Sequence, residues 1–486
     1  MLAALSGVNA APYGPKGRPV EFTQPDGQKI NLRVYGDEYY ARTETEDGYT
    51  VVYSAADRAY YYAKETAKGE DLKPSGVLAG RPAPENLAKH IDRSNEKVKE
   101  IAAAKHARFA AKRDAKWQKR VSAVSALRRA KAEGKDLSGP QAAANISAAP
   151  VLGDKRGLTI LVQFPNDPQT AGNDAVNFPT SRAKMVNFCN QEGYTDDGNT
   201  GSVRDYFYDQ SGGNLTYTQS VTPIVTLNNP RNYYNFSDYP ANNTYRDAGE
   251  SGNLLVADAI AILQGQGYDF SGLSTDTSNM ILATNVIFAG QDSGVWAEGL
   301  WPHSWDLQTP VNVGSGATPA YVSAYQITNL ATSSTRIGTF IHENGHLLLG
   351  YPDLYTYVAG TGEGVGLHCL MAAGNYCDDE KTPAPIDAYL KDVSGWANVN
   401  SLSADDYVTH SLPSTGNITY RITNPTSATE SRQWRQVGQG RSRQGYPDLA
   451  HRRIDRRWQR LPLPQLRRVH RAGRWPLRYR KLQQHG

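Results

Sequence analysis

The stretch Thr339-Phe-Ile-His-Glu-Asn-Gly-His-Leu-Leu-Leu-Gly-Tyr-Pro-Asp-Leu-Tyr355 places two histidines four residues apart, with a glutamate directly after the first. On an α-helix, residues i and i+4 lie about 40° apart around the axis and one turn along it, so His342 and His346 face a common point. Two imidazoles so placed can share one metal ion. Glu343 is offset around the helix, which lets its carboxylate reach a water at the metal rather than the metal itself. Phe340, Ile341, Leu347, Leu348 and Leu349 give the helix apolar cover, Gly350 suits a left-handed C-terminal residue, and Pro352 blocks continuation. The pattern points to metal-assisted hydrolysis; the competing reading is a half-buried helix with no metal. A catalytic zinc takes three protein ligands and keeps one position open. Once the helix stops, the chain can double back, so Asp353, seven residues after His346, is the expected third ligand. Its anionic oxygen would leave a bound water less acidic than a third imidazole would. An Asp that merely organises the Pro352-Asp353 turn is the alternative, with His368, Glu363 and Asp378 as fallback ligands.

Outward from this helix, strand and helix signals alternate. Gly157-Leu-Thr-Ile-Leu-Val-Gln-Phe164, closed by Pro165-Asn-Asp, is a continuous apolar run of the kind that forms a buried strand, and residues 280–288 form another. Residues 202–209 and 247–264 carry helical spacing, the second with Leu254, Leu255, Ala257, Ile260 and Leu263 on one side. No repeat of fixed period occurs, which excludes a solenoid or propeller. Residues 401–430 alternate polar and apolar around Gly416-Asn417 and predict the opening strands of a further β-rich module.

Towards the N-terminus, residues 20–22, 30–34 and 49–53 are short β-prone runs separated by Asp26-Gly27 and Asp47-Gly48, the signature of a small β-rich module. From about residue 84 the composition shifts to Ala, Lys, Arg and Glu, with thirteen bases against five acids between Ile91 and Glu133. This predicts a long basic helix or helical pair. With no base-reading motif beside it, a solvated linker helix is favoured over a nucleic-acid-binding one. Gly139-Pro140 and the Ala/Ser stretch to Pro150 mark a boundary and a site open to proteolysis. Residues 1–11 resemble the end of a secretory signal, with small residues at Val8 and Ala10 but no charged n-region, so cleavage is expected near Ala10 or Ala11.

The net charge of +4 is the sum of two unlike parts. Residues 431–486 hold fifteen Arg and one Lys against two acids, a balance of +14 that leaves −10 for residues 1–430. The Arg-rich tail lacks β-alternation and reads as a frameshifted translation of a GC-rich gene, so its charge carries no functional information. With 39% hydrophobic and 10% aromatic residues, global disorder is excluded. No stretch approaches the ~20 apolar residues of a membrane span. Cys189, Cys369 and Cys377 are too few for a disulfide scaffold or a zinc ribbon, and either a Cys369–Cys377 pair or free thiols fit the count.

Residues 342–355, together with Leu370-Met-Ala-Ala-Gly-Asn-Tyr376 and Asp387-Ala-Tyr-Leu-Lys-Asp-Val-Ser-Gly-Trp396, resemble the immune inhibitor A-type zinc metallopeptidases. Residues 158–167, Ser202-Val-Arg-Asp-Tyr-Phe-Tyr-Asp-Gln-Ser-Gly-Gly213 and Trp301-Pro-His-Ser-Trp305 extend the likeness through the catalytic part. Gln24-Pro-Asp-Gly27, Gly36-Asp-Glu38 and Asp47-Gly-Tyr49 extend it into the family's pro-region, for a coverage of about residues 18–430. The resemblance implies an α+β fold: a zincin-like catalytic domain (mixed sheet plus active-site helix), a β-rich N-terminal pro-module, a helical linker and the start of a C-terminal β domain. The corresponding boundaries are 1–11 for the signal remnant, 12–84 for the pro-module, 85–150 for the basic linker or activation segment, 151–400 for the catalytic domain, 401–430 for the β domain and 431–486 for the aberrant tail.

By function the resemblance implies a secreted bacterial endopeptidase made as a zymogen, acting as a monomer on protein or peptide substrates, with no nucleic-acid or membrane partner. His342 and His346 would be zinc ligands, Glu343 the general base and Asp353 the closing ligand. The family's commonest spacing puts Gly three and Asp six residues after the second His, whereas here the offsets are four and seven. Met371 would form a Met-turn beneath the metal, ordinary core filling being the other reading. Tyr376, Tyr355 and His303 are the candidate oxyanion donors. No cysteine precedes Cys189, so latency would rest on a carboxylate or on occlusion of the cleft. A structural Ca²⁺ at Asp196-Asp197-Gly198-Asn199 is a weaker expectation. Three other functions compete: a non-catalytic binding or adhesion module retaining the fold, a zinc hydrolase of non-protein substrates, and a nucleic-acid-binding protein suggested by the basic helix and the Arg-rich tail.

Overall fold

The structure is a computed structural model that describes residues 17–36, 40–109, 111–134, 151–169, 175–315, 318–355, 364–402, 417–423 and 431–434. The expected signal remnant, Glu363 and residues 435–486 of the Arg-rich tail lie outside the described residues. Three sheets, eight α-helices and three short 3₁₀ helices account for the regular structure among them.

The first sheet is an antiparallel meander of six strands in chain order: β1 (Arg18–Thr23), β2 (Lys29–Gly36), β3 (Ala41–Thr45), β4 (Thr50–Ser54), β5 (Ala59–Glu65) and β6 (Leu72–Leu78). Two of its hairpins, β1–β2 and β3–β4, turn where the Asp-Gly pairs stand. Gln24 N–H bonds Gln28 O across Asp26-Gly27, and Thr45 N–H bonds Tyr49 O across Asp47-Gly48. Phe22, Leu32, Val51, Tyr60 and Tyr62 form one buried face, as the period of two along a strand demands. Two helices follow, α1 (Asn95–Phe109) and α2 (Ala111–Ala132).

The central sheet has five strands in the order β10-β11-β9-β7-β8: β7 (Gly153–Gln163), β8 (Leu215–Thr226), β9 (Thr284–Ala289), β10 (His303–Asn312) and β11 (Tyr321–Leu330). β8, β7, β9 and β11 run parallel and β10 antiparallel, so the sheet is mixed, in keeping with the expected α+β class. β7 divides its side chains between two cores. Leu158, Ile160 and Val162 face one and Leu161 the other, which is why the run lacks a polar alternation. One face is covered by α6 (Ala248–Gly265) with the short α5 (Arg231–Asn235) beside it. The other carries α3 (Arg182–Asn190), α4 (Val203–Ser211), α7 (Gly338–Leu349) and α8 (Ala388–Val393).

Two elements depart from expectation. α2 is not a solvated linker: Trp117, Ala123 and Val124 belong to the core that also holds α7. The reason is a stripe at i, i+4 and i+7, Trp117, Val121 and Val124, embedded in basic residues. The third sheet, β12 (Asn398–Leu402), β13 (Ile418–Thr423) and β14 (Ser431–Trp434), crosses the boundary expected at residue 430. β14 pairs with β13 from Ser431 to Trp434 because an edge strand needs only backbone donors and acceptors to add to a ladder.

Candidate metal centre

Every residue of α7 is buried. A helix end buried without partners would strand backbone donors or acceptors, so both ends must be capped from outside. At the N-terminus, Ile337 N–H bonds Asn199 Oδ1, Gly338 N–H bonds Glu380 O and Thr339 N–H bonds Glu380 Oε2. At the C-terminus, Gly350 adopts φ +65° and its N–H bonds His346 O, while Tyr351 N–H bonds Gly345 O. Leu347 O and Leu349 O accept from Lys116 and Arg120 of α2.

Within this frame, His342 Nδ1 lies 2.8 Å from Leu370 O and His346 Nδ1 lies 2.7 Å from Tyr351 O. Carbonyls only accept, so both Nδ1 atoms carry the hydrogen and each Nε2 presents a lone pair. The two Nε2 atoms are 3.0 Å apart. Asp353 Oδ1 lies 3.3 Å from the first and 3.0 Å from the second. Three electron-pair donors thus converge on one buried point, an arrangement that repels unless a cation sits among them. The pull is visible at His342: burial lowers its affinity for a proton, but the Asp353 and Glu343 carboxylates and Leu370 O outweigh that and hold it above its ordinary range. Glu343 is buried beside the donors, and its Oε1 has no hydrogen-bond partner among the described residues. One imidazole pair, one carboxylate and a further carboxylate oxygen left over suit a divalent metal with an open position.

His342, His346 and Asp353 are brought together although the turn is one residue longer than the commonest family spacing. The helix continues to Leu349, and the left-handed Gly350 turns the chain so that Asp353 still reaches both imidazoles. No other set of three His, Cys, Asp or Glu ligand atoms converges among the described residues. Asp378 accepts from Thr382 Oγ1 and His368 ends a separate 3₁₀ turn, Gly366–His368. Met371 is fully buried, and its thioether fills the space where a side chain on Gly345 would stand. The other expectations resolve locally. His303 is committed to Trp301 O and the Tyr325 hydroxyl, which removes it as an oxyanion donor, and the Tyr376 ring packs against Val20, Val34, Ala248 and Trp301. Asp197, expected in a calcium turn, is paired with the Lys184 ammonium and accepts from Thr335. The three cysteines are free thiols.

Sequence reasoning missed the support behind the helix. Asn344, between the two histidines, is fully buried and points to the sheet. Its Nδ2 donates to Asn285 Oδ1 (2.9 Å) and Phe340 O (2.8 Å), and its Oδ1 accepts from the Tyr217 hydroxyl (2.6 Å). Asn285 continues the chain to Gln219 Oε1 and accepts from Gln326 Nε2. This network fixes the rotation of α7 about its axis and hence the direction of both imidazoles. A polar residue at position 285, inside the apolar run of β9, was the signal available.

A family model described as immune inhibitor A peptidase M6, catalytic domain, matches residues 149–399, just over half of the chain. No curated protein matches it.

Proposed function

The chain belongs to the immune inhibitor A peptidase M6 family, a family of metallopeptidases, and from that premise we propose that it is a secreted zinc-dependent endopeptidase made as a zymogen. A peptidase takes proteins or peptides as substrates, and no helix among the described residues is long and apolar enough to cross a membrane. The observation that carries the proposal is the convergence of His342 Nε2, His346 Nε2 and Asp353 Oδ1 beside the partnerless Glu343 Oε1. Those three residues would hold the metal within a zincin-like fold, with Met371 as the apolar floor below it. Bound there, Zn²⁺ supplies Lewis-acid polarisation of the scissile carbonyl and of the attacking water.

The chain's own residues do the rest. Leu370 O and Tyr351 O hold the two Nδ1 hydrogens, so each imidazole keeps its lone pair aimed at the site. Glu343 takes the proton of the water as its oxygen bonds to the carbonyl carbon, then gives that proton to the amine nitrogen as the C–N bond breaks. Burial of Glu343 beside the ligands keeps bulk water from competing for the proton. Latency is assigned to the N-terminal region, residues 12–150, through a carboxylate or through occlusion of the cleft.

Casein digestion by the purified chain, proteolytically trimmed to start near residue 150 and assayed with and without a chelator, tests the proposal. Cleavage is expected to be chelator-sensitive, restored by Zn²⁺, and at least 10²-fold lower in Glu343→Ala, the low end of a positioned acid–base contribution. Cleavage indifferent to both chelator and Glu343→Ala, in protein that melts cooperatively, would sink it.

A further inference from the structure

Helix α2 grips the turn on which the metal centre is built. Lys116 Nζ donates to Leu347 O at 2.6 Å, and Arg120 Nη1 donates to Leu349 O. These are two of the last four carbonyls of α7, which have no partner within the helix itself. The Lys116 stem also lies against Gly350, within 3.2 Å of the point a Cβ there would occupy. Between the two cations, Trp117 is buried and stands edge-on to Tyr351, with ring centroids 5.7 Å apart, and to Tyr389 at 5.9 Å. Tyr351 is the residue whose carbonyl holds His346 Nδ1, and Asp353 follows two residues later.

Arg120 is itself buried, an unfavourable place for a guanidinium unless something negative compensates it. The C-terminal end of α7 carries the negative pole of the helix and supplies that compensation. A helix serving only as a spacer would have no reason to bury an arginine and a tryptophan against this one turn.

We propose that α2 is a positioning element of the metal centre: Lys116, Trp117 and Arg120 hold the 346–353 turn in the geometry that retains the metal. The inference rests on reading His342, His346 and Asp353 as the metal site. Its consequence is that the linker is no discardable spacer, and a mature enzyme stripped of everything before residue 150 would hold its metal less firmly than one that keeps α2 docked.

The experiment uses the full chain loaded with Zn²⁺ and follows transfer of the ion to a chromogenic chelator. Partners one step beyond the ligands change metal affinity by 10–100-fold, so Arg120→Met and Trp117→Ala, a step further out, are expected to speed release about tenfold. Arg120→Lys is expected to recover part of the loss. Leu32→Ala, deep in the N-terminal sheet and remote from α2, is expected to lower the melting temperature without changing release. Wild-type release rates in both α2 variants overturn the inference, and so does equal acceleration by Leu32→Ala. Should Trp117→Ala fail to fold, Arg120→Met, which keeps the apolar stem, decides. A wild-type chain that binds no Zn²⁺ overturns the site reading, and the inference falls with it.

Discussion

His303 is a neutral histidine by construction. Its ring is enclosed between α6 and β11, with Nδ1 against Trp301 O at 2.6 Å and Nε2 against the Tyr325 hydroxyl at 3.2 Å. Gly252 makes room for it, since a Cβ there would come within 2.6 Å of Nε2. Burial pushes the imidazole down to about 4, and Trp301 O and Asp247 only partly oppose it. The unfolded chain binds this proton below about 6.5 and the folded one only below about 4, so the stabilisation is complete above 6.5 and is lost as pH falls between those values. At 1.36 kcal/mol per pH unit, the loss by pH 4 is about 3 kcal/mol. Urea denaturation at pH 7.5 and 4.5 is expected to show a smaller acid loss in His303→Gln than in wild type; equal losses would clear His303 of the role. At this scale the candidate site residues, which the fold brings together, were legible and their supports were not. His342, Glu343, His346 and Asp353 announce themselves by type and spacing, because the chemistry demands particular atoms at particular offsets. Asn344, Glu380 and Arg120 act across 41 to 229 residues of chain, a separation that no local pattern encodes.

At the scale of the element, α7 is held at both ends by other parts of the chain. Its N-terminus depends on Glu380, the last of three successive residues, Asp378, Asp379 and Glu380, at φ of 51°, 56° and 66°. Left-handed backbone costs roughly 1–2 kcal/mol per non-glycine residue, less for Asp, so this turn persists only because its surroundings fix it. Arg336 pairs with Asp379, Thr382 Oγ1 donates to Asp378, and Glu380 accepts from Thr339 N–H at 3.1 Å. Glu380→Ala is expected to cost about 1–2 kcal/mol by removing an anionic cap from a buried helix, with Glu380→Gln recovering at least half through its amide oxygen. Chemical denaturation of the three proteins measures this; an Ala variant as stable as wild type would show that the cap carries no energy. Elements were read best where one pattern dominated. β7 and β9 were plain as apolar runs and α6 by its helical stripe. α2 was legible as a helix but not as a docked one, because its Trp117, Val121 and Val124 stripe is short and flanked by Lys and Arg on both sides.

Across the whole molecule, the N-terminal sheet and the central domain share core residues. Val295, from the segment between β9 and β10, is buried in the same cluster as Phe22, Leu32 and Tyr60. Val20 and Val34 pack with Ala248 and Trp301 in another. Polar contacts reinforce the joint: the Tyr60 hydroxyl donates to Gly294 O and Arg58 Nη1 donates to Asn242 O. Three of that sheet's six strands, β1, β2 and β4, could be read from β-prone runs beside Asp-Gly turns, but its docking could not, since the apolar residues it contributes are indistinguishable in sequence from those of its own core. A small sheet that finishes its hydrophobic face on its neighbour gains stability from the joint and has no reason to unfold separately. Calorimetry of the intact chain is therefore expected to show the sheet and the central domain melting in one transition. Val295→Asp places an unpaired charge in the shared cluster, where burial of a carboxylate costs several kcal/mol. The expected result is a split endotherm, with the N-terminal sheet melting first and the central transition shifted less. Two transitions already present in the wild type, or one unchanged transition in Val295→Asp, would show that the joint does not couple the two halves.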